Sequence, residues 1–105
     1  GGTMPVSGAF MVMPPAVLTE LLSNPRLDRS TVTSLGELPL IEVSEGYWSR
    51  AGALRAKVIA KRLKARLGDA LIAQSCIDAG IRLITRDRDF LAFAAAAGLK
   101  LAAGR

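Results

Sequence analysis

Apolar and polar positions change their period several times along the chain, and each change marks an element. Phe10 to Met13 is a short apolar run stopped by Pro14-Pro15, which predicts a strand followed by a helix start, where proline is favoured. Ala16 to Ser23 predicts a helix closed by Asn24-Pro25. Asp28 to Leu35 carries cap-type residues and predicts a short helix before Gly36, and Leu38 to Val43 a short strand. Ser44 is the expected N-cap of a long helix running to about Leu67, with an apolar stripe at Leu54, Val58, Ile59, Leu63 and Leu67.

Asp69 is expected to open the next helix, with Leu71, Ile72, Ser75, Cys76 and Ala79 mostly on one face and Gly80 as its stop. Ile81 to Ile84 predicts a strand, Asp89 to Ala97 a helix ended by Gly98, and Leu99 to Leu101 a last strand. Strands alternating with helices predict a three-layer α/β/α fold around a mostly parallel, four-stranded sheet. No repeat or linker interrupts the pattern, so one domain is expected over residues 4–105, with Gly1-Gly2-Thr3 ahead of Met4 read as an expression scar.

Composition narrows the chemistry. Half of the 105 residues are apolar but only 5% are aromatic, so the core must be built from Leu, Ile, Val and Ala. No apolar run approaches the length of a membrane span, and a cytoplasmic location is expected. The chain has no histidine and one cysteine, which excludes Ser-His, Cys-His and zinc-histidine chemistry and any internal disulfide. Cys76, inside an apolar helix pattern, reads as a small buried side chain. Catalysis would have to rest on carboxylates, hydroxyls, Lys, Arg or a metal.

The net charge of +5 is unevenly spread. Arg50, Arg55, Lys57, Lys61, Arg62, Lys64 and Arg66 occupy one stretch without an acid among them. A solvated helix face is the plain explanation. Surface helices normally mix both signs, however, and a one-sign face creates a field suited to the backbone of RNA or DNA.

The richest chemistry lies in Gly68-Asp69-Ala70-Leu71-Ile72-Ala73 and Leu83-Ile84-Thr85-Arg86-Asp87-Arg88-Asp89-Phe90. The first sets a carboxylate at a helix start; the second ends an apolar strand in two more, at the sheet edge where α/β folds bind ligands. Converging acids there suit a hard divalent cation. These segments, with Leu99-Lys100-Leu101 and the upstream Met13-Pro14-Pro15-Ala16-Val17-Leu18-Thr19-Glu20-Leu21-Leu22-Ser23, resemble PIN-domain nucleases, most of all the toxins of bacterial toxin–antitoxin pairs.

The resemblance implies an endoribonuclease using Mg²⁺ or Mn²⁺ held by three or four acids. Carried onto this chain, Glu20, Asp69 and Asp87 match the acidic positions, Asp89 is an additional acid, and Thr85 matches the hydroxyl position before the fourth acid. Thr85, Arg86, Arg88, Arg55, Lys61, Arg62 and Arg66 are the candidates for phosphate or RNA contacts. RNA and an antitoxin protein are the implied partners. The family also opens on a strand ending in Asp and two helices, whereas no acid precedes Glu20 here. A PIN-like fold lacking that N-terminal part is therefore expected, with three outcomes: direct strand pairing closes the gap, a second copy covers it, or the chain is a piece of a longer protein; a homodimer is favoured.

Each acid also has a plainer reading. Asp69 could serve as a helix cap or dipole partner, Asp87 or Asp89 could cap the following helix, Asp89 being the better placed, and Glu20 could be a solvated helix residue. Tyr47, Trp48, Phe90 and Phe93 read as packing or interface residues, Met11 and Met13 as strand core, and Asp78, Glu37, Glu42 and Glu45 as surface. The alternatives to an active nuclease are an inactive PIN-derived module that binds nucleic acid or protein, and a non-functional fragment that folds by dimerising.

Overall fold

A computed structural model describes residues 12–102, which divide between Ile41 and Glu42 into two compact units. Five helices account for the regular structure: α1 (Pro15–Leu22), α2 (Arg29–Gly36), α3 (Tyr47–Ala60), α4 (Leu67–Ala79) and α5 (Phe90–Ala97).

In the first unit, α1 starts on proline because the fixed φ fits the first turn and the missing N–H is an orphan there anyway. Asp28 caps α2, its side chain accepting from the Thr31 N–H at 2.7 Å. The two helices pack together, but neither buries a residue, and Leu21, Leu22 and Val32 are exposed. Met13 pairs with Leu40 in a single parallel bridge, donating to the Pro39 carbonyl and accepting from the Ile41 N–H, both at 2.9 Å.

The second unit holds the aliphatic core. Along α3 the buried residues are Tyr47, Ala51, Leu54 and Val58, one stripe at helical spacing. α4 is buried nearly all round from Asp69 to Cys76, apart from half-buried Leu71, because it packs against both α3 and α5. Phe93 is fully buried and meets Phe90 at a ring separation of 6.2 Å. Tyr47 is buried with its hydroxyl satisfied, donating to the Leu71 carbonyl at 2.6 Å, whereas Trp48 is exposed. Gly80 and Gly98 end α4 and α5 in the left-handed conformation, at φ 68° and 77°.

The four-stranded sheet and the three-layer architecture expected from the sequence are not found. Among the described residues there is no strand, only Met13–Leu40 in one unit and Leu83–Leu101 in the other, both isolated parallel bridges. The apolar runs 38–43, 81–84 and 99–101 each contribute one bridging residue, while Phe10 and Met11 lie outside the described residues. Two short segments side by side, with no third beside them among the described residues, make a marginal ladder. Pro39 lacks an N–H and Pro14 follows Met13 directly, so one pair cannot lengthen without losing bonds.

The long helix is also shorter than expected. Ser44 is not its cap: Gly46 takes that position at φ 81°, and the Ser44 hydroxyl turns to Arg50 and Asp78. The helix stops at Ala60, where Arg62 adopts φ 61° and the Leu63 N–H closes onto the Val58 carbonyl at 3.3 Å. Leu63 and Leu67 thus leave the stripe, and Ile59, one residue round from Val58, faces solvent.

Candidate metal centre

The acids of the second unit are set by local backbone logic. Asp69 is not the residue before α4 but lies in its first turn, where the partial positive charge of the helix end favours a carboxylate. It is 7% exposed, far less than a mere dipole partner needs to be.

Asp87 and Asp89 come from a segment that repeats one device twice. The Asp87 N–H donates to the Thr85 hydroxyl at 3.0 Å, and the Asp89 N–H donates to the Asp87 carboxylate at 2.9 Å. The Asp87 carbonyl then accepts from the Phe90 N–H at 3.3 Å as α5 begins. The alternation Thr-Arg-Asp-Arg-Asp keeps Thr85, Asp87 and Asp89 in this chain of bonds and leaves Arg86 and Arg88 exposed. Asp89 stands directly before α5 but makes no side-chain cap bond there, which removes the plainer reading of that acid.

One carboxylate oxygen from each of Asp69, Asp87 and Asp89 lies within 4.8 Å of the others. Three such groups repel one another unless a positive charge stands among them. An all-oxygen donor set of this kind fits a hard divalent cation such as Mg²⁺ or Mn²⁺. Two of the chain's own cations also reach the cluster: Lys64 Nζ stands 3.3 Å and Arg66 Nε 3.9 Å from the same Asp89 oxygen.

Glu20, the remaining acid of the expected set, is carried by α1 in the first unit, where it is exposed. Of the expected phosphate contacts, Lys61, Arg62, Arg66, Arg86 and Arg88 are exposed, whereas Arg55 is half-buried and spends its Nε–H on the Ala65 carbonyl at 2.8 Å.

Residues 7–96 match the family model of the PIN domain. The chain belongs to the PIN-domain family. The match crosses both units of this PIN domain and includes Glu20, Asp69, Asp87 and Asp89. No curated protein matches the chain. Among the described residues, no helix of the PIN domain is long and apolar enough to cross a membrane.

Two features of the PIN domain were not readable from residue types. Lys64 belonged only to a run of like charges, and its pairing with Asp89 spans 25 positions, a separation no local rule covers. Asp78, read as a plain surface acid, takes a two-pronged contact from Arg50, Nη2 at 2.6 Å and Nε at 3.1 Å, with Gln74 donating at 2.8 Å. That guanidinium holds the Asp78 carboxyl below the usual carboxylate range. Gln74 and Asp78 stand four apart on one helix, the one hint the sequence contained.

Proposed function

We propose that this PIN domain is a metal-dependent endoribonuclease that hydrolyses RNA phosphodiester bonds. The observation that carries the reading is the convergence of Asp69, Asp87 and Asp89 inside a chain of this family. These three carboxylates would hold Mg²⁺ or Mn²⁺; Glu20 is the further acid only as the resemblance to PIN-domain nucleases implies it. When bound, such an ion supplies Lewis-acid stabilisation of charge at phosphate and a bound water of lowered pKa.

The protein's own residues do the rest. Thr85 fixes the turn that presents Asp87, and Asp87 in turn fixes Asp89. The exposed side chains of Lys61, Arg62, Arg66, Arg86 and Arg88 neutralise the RNA backbone, and Arg55 anchors the connection that carries Lys61, Arg62 and Arg66. A toxin role, with an antitoxin protein as partner and the cytoplasm as its place, belongs to the same reading. So does a homodimer, in which a second copy covers apolar positions such as Leu21, Leu22 and Val32.

A second reading, an inactive module that binds RNA or protein, is favoured by one observation: Lys64 and Arg66 both stand within 4 Å of one Asp89 oxygen. Cleavage of a mixed RNA pool with Mg²⁺ or Mn²⁺ separates the two. The nuclease reading expects cleavage that is lost in EDTA and in Asp69→Asn purified in parallel. Equal cleavage by both proteins, or none by either, leaves the binding module.

A further inference from the structure

We infer that Lys64, assisted by Arg66, is the resident counter-cation of the acidic cluster and competes with a divalent ion for Asp89. The inference rests on the reading of that cluster as a metal centre and concerns how its occupancy is controlled.

The connection between α3 and α4 is built to hold these two cations in place. Arg62 turns the chain at φ 61°, and the chain then runs outside any helix until Leu67. Ala65 is buried and its carbonyl is held by Arg55 at 2.8 Å, so the residue between the two cations is pinned from both sides. Lys64 and Arg66, on either side of buried Ala65, are both exposed, and both reach the same Asp89 oxygen, at 3.3 Å and 3.9 Å.

The Lys64 side chain remains 56% exposed, and an exposed ion pair of this kind is weak enough to be exchanged for a divalent ion. Asp89 cannot fully serve an ammonium and a doubly charged ion at one oxygen. Metal entry therefore releases Lys64 to solvent, and loss of the Lys64 charge strengthens metal binding. Lysine suits this task better than arginine, since a compact ammonium on a flexible stem is readily moved aside.

The test is Mn²⁺ binding by the intact chain, followed by electron paramagnetic resonance of the free ion. Lys64→Gln is expected to bind Mn²⁺ about two- to fivefold more tightly than the unmutated chain, the range an exposed ion pair supplies. Lys57→Gln, an equal charge change in the last turn of α3, is expected to leave affinity unchanged. A Lys64→Gln affinity equal to that of the unmutated chain overturns the inference, and so does an equal gain in Lys57→Gln, which would show a diffuse field. If Mn²⁺ binding is lost in Asp69→Asn yet identical with and without the Lys64 charge, the metal centre stands and only the competition falls. If no variant binds Mn²⁺, both fall. In the unmutated chain, acetylation of Lys64 by an amine reagent, read by mass spectrometry, is expected to rise on adding Mn²⁺ while Lys57 stays constant; no rise at Lys64 also overturns the inference.

Discussion

Cys76 shows how far one buried position constrains behaviour. Its thiol is enclosed in the second unit, and loss of hydration raises its pKa from 9.0 to about 11. The folded state therefore keeps its proton between those values while the unfolded chain releases it, so stability falls as pH rises through that window. Thermal unfolding at pH 8 and pH 10 should show a larger loss for the unmutated chain than for Cys76→Ala. Asp78 works in the opposite sense. Its carboxyl is lowered mainly by the hydrogen bonds from Arg50, so its contribution is full above the ordinary value of 3.8 and fades as pH falls through and below it. The gap in melting temperature between the unmutated chain and Asp78→Asn is expected to be constant from pH 7 to pH 5 and to close below pH 3.8. Asp69, Asp87 and Asp89 were legible because their neighbours in sequence are their neighbours in the turn and helix starts that hold them. Arg50 with Asp78, and Lys64 with Asp89, were not, because only tertiary folding joins groups 28 and 25 positions apart.

The helix stops at Gly80 and Gly98 were read best and sheet pairing worst. Gly80 and Gly98 announce the ends of α4 and α5 because a left-handed residue there is cheapest without a Cβ. The end of α3 carried no such sign, since Arg62 takes the same conformation with a full side chain. The two sites form a matched test. A Cβ at Gly80 meets nothing within 4 Å, so Gly80→Ala carries only backbone strain, about 1 kcal/mol. Arg62→Gly removes strain of that size, partly offset by the freedom glycine adds to the unfolded chain. Urea unfolding should thus show Gly80→Ala destabilised and Arg62→Gly neutral to stabilised. Strands escaped the sequence for a different reason. An apolar run of three to six residues predicts burial equally well as a strand or as a single pairing residue, and only the presence of a third neighbour decides between them.

At the scale of the whole molecule, burial and charge are both unevenly divided. Among the described residues, the buried core side chains lie on α3, α4 and α5, in the segments joining them and at Leu99, whereas α1 and α2 bury none. Amide hydrogen exchange should accordingly be slowest along α4 from Asp69 to Cys76 and fastest in α1 and α2, which open at little cost. The three clustered acids lie wholly within the well-buried unit, so any ion they hold is linked to that unit's stability. A ligand at ten times its dissociation constant stabilises the native state by about 1.4 kcal/mol, which in a domain of this size raises the melting temperature by roughly 5 to 10 °C. Mn²⁺ is therefore expected to shift the transition of the unmutated chain upward, and to slow exchange first at the starts of α4 and α5, where the carboxylates are mounted. Asp69→Asn should lose the shift while keeping its helices. An upward shift of equal size in Asp69→Asn would place the ion elsewhere on the molecule and sever the acidic cluster from metal binding.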